Sequence, residues 1–178
     1  MNSRNLILFV VIFVLFISCK SETEKSKAEY NQKANELIQQ LITEENCHCV
    51  LEIPKQTTME SQALENPKYN SEIYYGRKLT KQNIAEMNSL NKTKQSFELS
   101  EEFIRKNKIK IIKRDSVRIL YKDINFITKT CKKGVTYFIK PNFNKSFNVA
   151  AILYGESGMC VGNNSRVFEF KNNKWIEK

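Results

Sequence analysis

The chain has 178 residues and a formal net charge of +10, from 29 Lys and Arg against 19 Asp and Glu. A hydrophobic content of 41 % with 11 % aromatics is enough to bury a core, which excludes a wholly disordered chain, and the length fits one domain plus its ends. The positive excess suggests an anionic partner, but the lysines are spread over the whole length, so it reads as solubility and not as a nucleic-acid footprint.

Residues 2–5 contain Arg4, and Leu6 to Ile17 then runs twelve apolar residues without a break. That run is too short for a membrane span, which needs about 20 residues, and has the length of the apolar region of a signal peptide. It ends in Phe16-Ile17-Ser18-Cys19, which resembles the lipobox of bacterial lipoproteins, with a small residue before the cysteine and Phe16 where an aliphatic side chain is usual. The resemblance implies a signal peptide over 1–18, acylation of Cys19, and the membrane as a partner through that lipid. A plainly cleaved secreted protein and a retained anchor are the alternatives. Lys20 to Lys27 contains no apolar residue, so 19–27 reads as a hydrophilic tether. Lys20 stands where an aspartate would retain a lipoprotein of a Gram-negative bacterium in the inner membrane. By that resemblance the expected location is the outer membrane.

Residues 28–178 read as a single α+β domain. Ala34, Leu37, Ile38, Leu41 and Ile42 have the spacing of an amphipathic helix over Ala28 to Asn46. "CHCVLEI" follows as a short strand stopped by Pro54, and residues 55–78 read as a long irregular loop. Thr80 is placed to cap a helix running to about Leu90, and Ser100 a shorter one over "EEFIRKN". "KIKII" alternates as a strand, and "VRILY" reads as a strand or a short helix capped by Asp115. Four strands follow over Val135 to Ile139, Phe147 to Tyr154, Ser165 to Lys171 and Lys174 to Ile176. They are punctuated by Pro141-Asn142, a Gly-rich segment and the tight turn Asn172-Asn173. The expected architecture is an amphipathic helix and short helices packed on a C-terminal antiparallel β-meander.

The stretch "YFIKPNFNKSFNVAAILYGESGMCVGNNSRVFEFKNNKWIEK" is similar to the C-terminal end of small lipoproteins of Bacteroidota, which carry a comparable strand, an "FNK" turn, an apolar strand, a Gly/Cys loop and a final hairpin. The similarity covers about a quarter of the chain and implies a shared fold. The loop in that family often holds a second cysteine, whereas here it holds Cys160 alone.

With Cys19 assigned to the lipid, Cys47, Cys49, Cys131 and Cys160 remain as disulfide candidates, and four cysteines allow three pairings. In a strand, Cys47, Cys49, Leu51 and Ile53 share one face, while His48, Val50 and Glu52 share the other. A metal site on Cys47, His48 and Cys49 would need adjacent residues to converge on one ion, whereas ligand knuckles have two or more intervening residues. A Cys47–Cys49 bond lies near the long end of the allowed Cα separation. Pairing each with one of Cys131 and Cys160 meets neither objection; redox activity and free thiols are the other readings. No metal and no cofactor is expected.

His48 has no orienting carboxylate at a recognisable spacing apart from Glu44 and Glu45, so it reads as solvent-facing and not as a general base. Gly155, Gly158 and Gly162 read as hairpin positions of positive φ rather than a phosphate cradle, because "SRVFEF" after them is strand-like. "RKNKIKIIKR", Arg105 to Arg114, holds six basic residues in ten and reads as a strand with lysines on its wet face. Lipid phosphates or acidic glycans are its alternative partners. No catalytic constellation is present, so the expected role is that of a non-enzymatic envelope lipoprotein acting by binding or by structural contact, with an envelope protein or an anionic glycan or lipid as partner and without nucleic acid. The competing expectation is a small periplasmic enzyme or ligand-binding domain with a pocket between helices and sheet.

Overall fold

The computed structural model describes residues 3–45, 48–53, 78–91, 97–113, 131, 134–157 and 164–178. Helix α1, Ser3–Glu44, contains neither Gly nor Pro, and it runs unbroken through the tether read over 19–27. Glu24 and Lys27 are paired at 3.1 Å one turn apart within that stretch. Burial begins at Tyr30, and Ala34, Leu37, Ile38, Leu41 and Ile42 are at most 2 % exposed.

Strand β1, Cys49–Leu51, is followed by residues 54–77, which lie outside the described residues together with most of the loop read there. Helix α2 spans Lys81–Asn91, and the Thr80 hydroxyl accepts the Asn83 N–H at 3.1 Å. Helix α3, Glu101–Lys106, is capped by Ser100, whose hydroxyl accepts the Phe103 N–H at 3.3 Å. Glu101 and Glu102 in its first turn and Arg105 and Lys106 in its last both suit the helix dipole. Then come β2 (Lys110–Ile112), β3 (Val135–Phe138), β4 (Asn142–Phe143), β5 (Val149–Ser157), β6 (Asn164–Lys171) and β7 (Lys174–Glu177). The "VRILY" segment falls outside the described residues.

The seven strands of the described residues join one sheet, in the order β2-β1-β3-β5-β6-β7, with β4 also paired to β5. The sheet is mixed and mostly antiparallel, which makes the fold α+β. An antiparallel meander describes only its C-terminal part, because β1 is parallel to both β2 and β3. A parallel pair needs a long crossover, and the connection from β1 to β2 contains α2 and α3.

Pro141-Asn142 is not the break that the sequence suggests. Asn142 and Phe143 pair with Ala151 and Ala150, beyond a one-residue step from the register in which Phe138 pairs with Tyr154. Pro141, without an N–H, sits at that step, so β3 and β4 act as one interrupted strand along β5. The turn Asn172-Asn173 has φ of 51° and 59°, and it joins the paired Lys171 and Lys174 as a two-residue hairpin.

Alternation along β5 divides the core. Ala150, Ile152 and Tyr154 pack with the buried residues of α1 and with Val50, Phe138, Phe143, Phe168 and Trp175. Val149 and Ala151 face the other way, with Val167 and with Leu79, Ile84 and Met87 in and beside α2. Helices therefore cover both faces of the sheet rather than one.

Candidate functional site

The structure joins Cys49 to Cys131, with Sγ atoms 2.05 Å and Cα atoms 5.9 Å apart. Both cysteines are buried, beside Leu51, Ile112 and Val135. Cys47 and Cys160 lie outside the described residues, and Cys19 falls within α1. His48 is exposed, but the face it shares with Val50 is not a wet one: Val50 is 0 % exposed and belongs to the main core. Ile53 packs against that same core and not with the thiols, because the strand and its alternation end at Leu51. A disulfide sulfur is no thiolate ligand, so Cys49 is unavailable to a metal clasp.

Gly155 also differs from its expected role. It lies inside β5 opposite Tyr137, and a Cβ added there would stand 2.9 Å from the Tyr137 hydroxyl oxygen. Close side-chain approach, not positive φ, requires glycine at this position. Gly158 and Gly162 lie outside the described residues.

In the basic run, Arg105, Lys106, Lys108, Lys110 and Lys113 are exposed while Ile109 and Ile112 are buried. The run is divided between the end of α3 and β2, a strand at one end of the sheet, and Lys113 pairs with Glu52 at 3.0 Å. Arg114 lies outside the described residues.

Two polar clusters tie α1 to the sheet. Near its C-terminal end, the Tyr154 hydroxyl donates to Glu45 at 3.3 Å, and the Arg166 guanidinium lies 4.9 Å from the Tyr154 ring centroid. Arg166 also reaches Glu177 at 3.2 Å and Glu45 at 3.8 Å. Burial, reinforced by Glu45, holds the Tyr154 hydroxyl above its ordinary pKa despite the opposing Arg166 charge.

At the other cluster the Tyr30 hydroxyl donates to the Pro141 carbonyl at 2.7 Å, and burial pushes its pKa well up. Lys140, 4 % exposed, holds its Nζ 4.8 Å from the Tyr30 ring centroid. Burial lowers its pKa from 10.5 to about 8. Between these two values the unfolded chain retains a proton that the folded protein has released, so stability rises with pH across the window. Between pH 7 and about 9.5, wild type is expected to gain about 2 kcal/mol relative to Lys140→Met. Urea melts at the two pH values check this; an unchanged difference between the proteins would refute it.

One surface groove of about 380 Å³ lies between Lys33, Glu36 and Gln40 of α1 and Phe170, Asn173 and Trp175 of the β6–β7 hairpin. Its walls come together through Gln40, whose carboxamide accepts the Trp175 backbone N–H at 3.0 Å and donates to the Trp175 carbonyl at 2.7 Å. Both Trp175 backbone groups therefore point away from β6, and the glutamine takes the place of a further strand at the edge of the sheet. Lys33 Nζ sits 3.8 Å from the Phe170 ring centroid and 2.6 Å from Glu36. Phe170 and Trp175 contact each other with centroids 5.1 Å apart. Trp175 is 3 % exposed, and its indole N–H, fully buried, has no hydrogen-bond partner among the described residues.

No family model, curated protein or solved structure matches this chain. The groove is thus read from its own chemistry: an aromatic floor, a neutralised Lys33–Glu36 pair and an exposed amide at Asn173. A smaller cleft of about 200 Å³ is lined by Phe97, Leu99, Ile104 and Ile111, with Glu52 and Lys113 among its polar residues. Neither Cys49, Cys131 nor His48 lines either concavity. Sequence reasoning missed the groove. Its one local signal is the stripe Lys33, Glu36 and Gln40, at i, i+3 and i+7 beside the buried positions of α1.

Proposed function

We propose that the protein is a lipid-anchored lipoprotein of the bacterial envelope, carried by Cys19 at the outer membrane, whose body has a binding or structural role without catalysing a reaction. The observation that carries this reading is the order Arg4, the apolar run Leu6 to Ile17, Ser18-Cys19 and the hydrophilic stretch Lys20 to Lys27. Among the described residues no helix is long and apolar enough to cross a membrane. Several acyl chains on Cys19 would anchor the protein firmly, since each buried methylene contributes about 0.8 kcal/mol. Helix α1, amphipathic from Ala28 onward in this reading, would then link the anchor to the sheet. At about 1.5 Å per residue, Cys19 stands about 16 Å along the helix from Tyr30.

The test is fractionation of cells expressing wild type or Cys19→Ala. Wild type is expected in the membrane fraction, resistant to high salt and released by detergent, whereas Cys19→Ala is expected to leave that fraction. Salt-resistant membrane association of Cys19→Ala would refute the lipid anchor. The groove between α1 and the β6–β7 hairpin supports the competing reading, a small enzyme or ligand-binding domain with a pocket between helices and sheet, because small-molecule sites combine apolar walls with a few converging polar groups.

A further inference from the structure

Strand β2 ends the sheet with one side unpaired, and we infer that this edge binds an extended acidic segment of a partner protein, which adds to the sheet as a further strand. The inference gives a partner class to the binding role proposed above. It rests on the body having that role and is independent of the lipid on Cys19.

The backbone of β2 is held from one side. The Lys110 N–H donates to the His48 carbonyl, and the Ile112 carbonyl accepts the Glu52 N–H, each at 2.8 Å. Val50 stands opposite Ile111 between these bonds, so in a parallel ladder the Ile111 N–H and C=O point away from β1. Among the described residues no strand lies on that side, because β2 is terminal. The other end of the sheet is closed differently: Gln40 takes both backbone groups of Trp175 on β7. An outward donor and acceptor on a half-exposed strand residue are the groups that strand addition uses.

Charge selects the segment. Arg105, Lys106, Lys108 and Lys110 are exposed and make no ion pair among the described residues. A fixed turn places them at the start of β2. Lys108 has φ of 53°, the left-handed position where a helix usually ends in glycine, and the Ile109 N–H closes the turn on the Ile104 carbonyl at 3.0 Å. Lysines beside an unpaired edge repel a second copy of β2, which brings the same charges, and attract an acidic strand. At the far end of β2 no cationic excess remains, since Lys113 pairs with Glu52 at 3.0 Å and Glu98 and Glu101 line the cleft beside it. That cleft shares Ile111 with the edge, and its apolar lining suits apolar side chains of the added strand. Alternate residues of a strand share one face. The fitting segment is therefore acidic at one end and apolar at alternate positions beyond it.

The experiment titrates fluorescein-labelled peptides with full-length, detergent-extracted protein and reads anisotropy. Two probes, acetyl-Asp-Glu-Thr-Val-Thr-Val-amide and its reversed sequence, serve the parallel and antiparallel directions. At least one is expected to bind saturably with a Kd below about 1 mM. Replacing its acids with lysine, or methylating every backbone nitrogen, should each weaken binding at least about tenfold. Methylation leaves the charges and removes the donors, so it separates strand addition from bare attraction. Lys108→Glu with Lys110→Glu, both at exposed positions, should weaken binding at least about tenfold with an unchanged urea midpoint. Lys174→Glu, on the edge strand that Gln40 covers, should leave binding unchanged. No saturable binding of either probe up to about 1 mM overturns the proposal. So does binding that survives methylation or the double charge reversal. Sedimentation without peptide completes the test: a dimer that the double reversal alters would give the edge to a second copy, and the proposal would fail. Membrane fractionation of Cys19→Ala reads the anchor separately, so failure of one does not imply failure of the other.

Discussion

Replacing both Cys49 and Cys131 with alanine is expected to lower the stability of the folded protein by about 4–5 kcal/mol. The bond spans 82 residues of sequence, and closing a loop of that length in the unfolded chain contributes about 4–5 kcal/mol in the chain-entropy account. Against a total of about 5–15 kcal/mol for a domain, that is enough to leave much of the protein unfolded near body temperature. The loss has a local meaning too. The bond ties β1 to the residues just before β3, and among the described residues β1 is the only strand that connects β2 to the rest of the sheet. Urea unfolding of the double variant beside wild type checks the prediction. A change below about 1 kcal/mol would show that the bond does not form in the native protein.

Phe143→Ala is expected to cost about 3–5 kcal/mol, the range for deleting a fully buried aromatic side chain. Phe143 is 1 % exposed and sits where three elements meet. Its ring centroid is 5.5 Å from that of Tyr30 on α1, 5.8 Å from Phe147 and 5.6 Å from Trp175 on β7. Alanine leaves a void that none of these rings fills without loosening the attachment of α1 to the hairpin. Phe143→Leu, which retains most of the volume, should cost less than half as much. Equal losses for the two substitutions would contradict the packing explanation, and the urea midpoints of both variants decide it.

The same residue shows how far the sequence could be read. Phe143 follows Pro141-Asn142, a pair that looks like a turn because local chemistry favours one there. The pairing with β5 overrides it, because β5 offers backbone partners on both sides of the proline. Where a signal was local, it was legible. The spacing of Ala34, Leu37, Ile38, Leu41 and Ile42 marked residues that are all buried, Thr80 and Ser100 cap helices, and Asn172-Asn173 makes the final turn. The parallel pairing of β1 had no local signal, since it depends on a crossover through α2 and α3. Gly155 looked like a turn residue for want of knowing that Tyr137 crosses it.

The groove was the least legible feature. Gln40 and Trp175 are 135 residues apart, and nothing around either position announces that one caps the backbone of the other. The cysteines stood between these extremes. Alternation placed Cys49 with Leu51, and both pack in the cluster that holds the Cys49–Cys131 bond, but the choice of partner for Cys49 needed the tertiary fold.

The central claim is that Cys19 carries the lipid, and the mass of the mature N-terminus tests it most directly. Protein extracted from membranes should yield an N-terminal peptide that begins at Cys19 and carries the added mass of a diacylglyceryl group, with or without a further acyl chain on its amine. An N-terminal peptide that retains residues 1–18, or one in which Cys19 is unmodified, would contradict it.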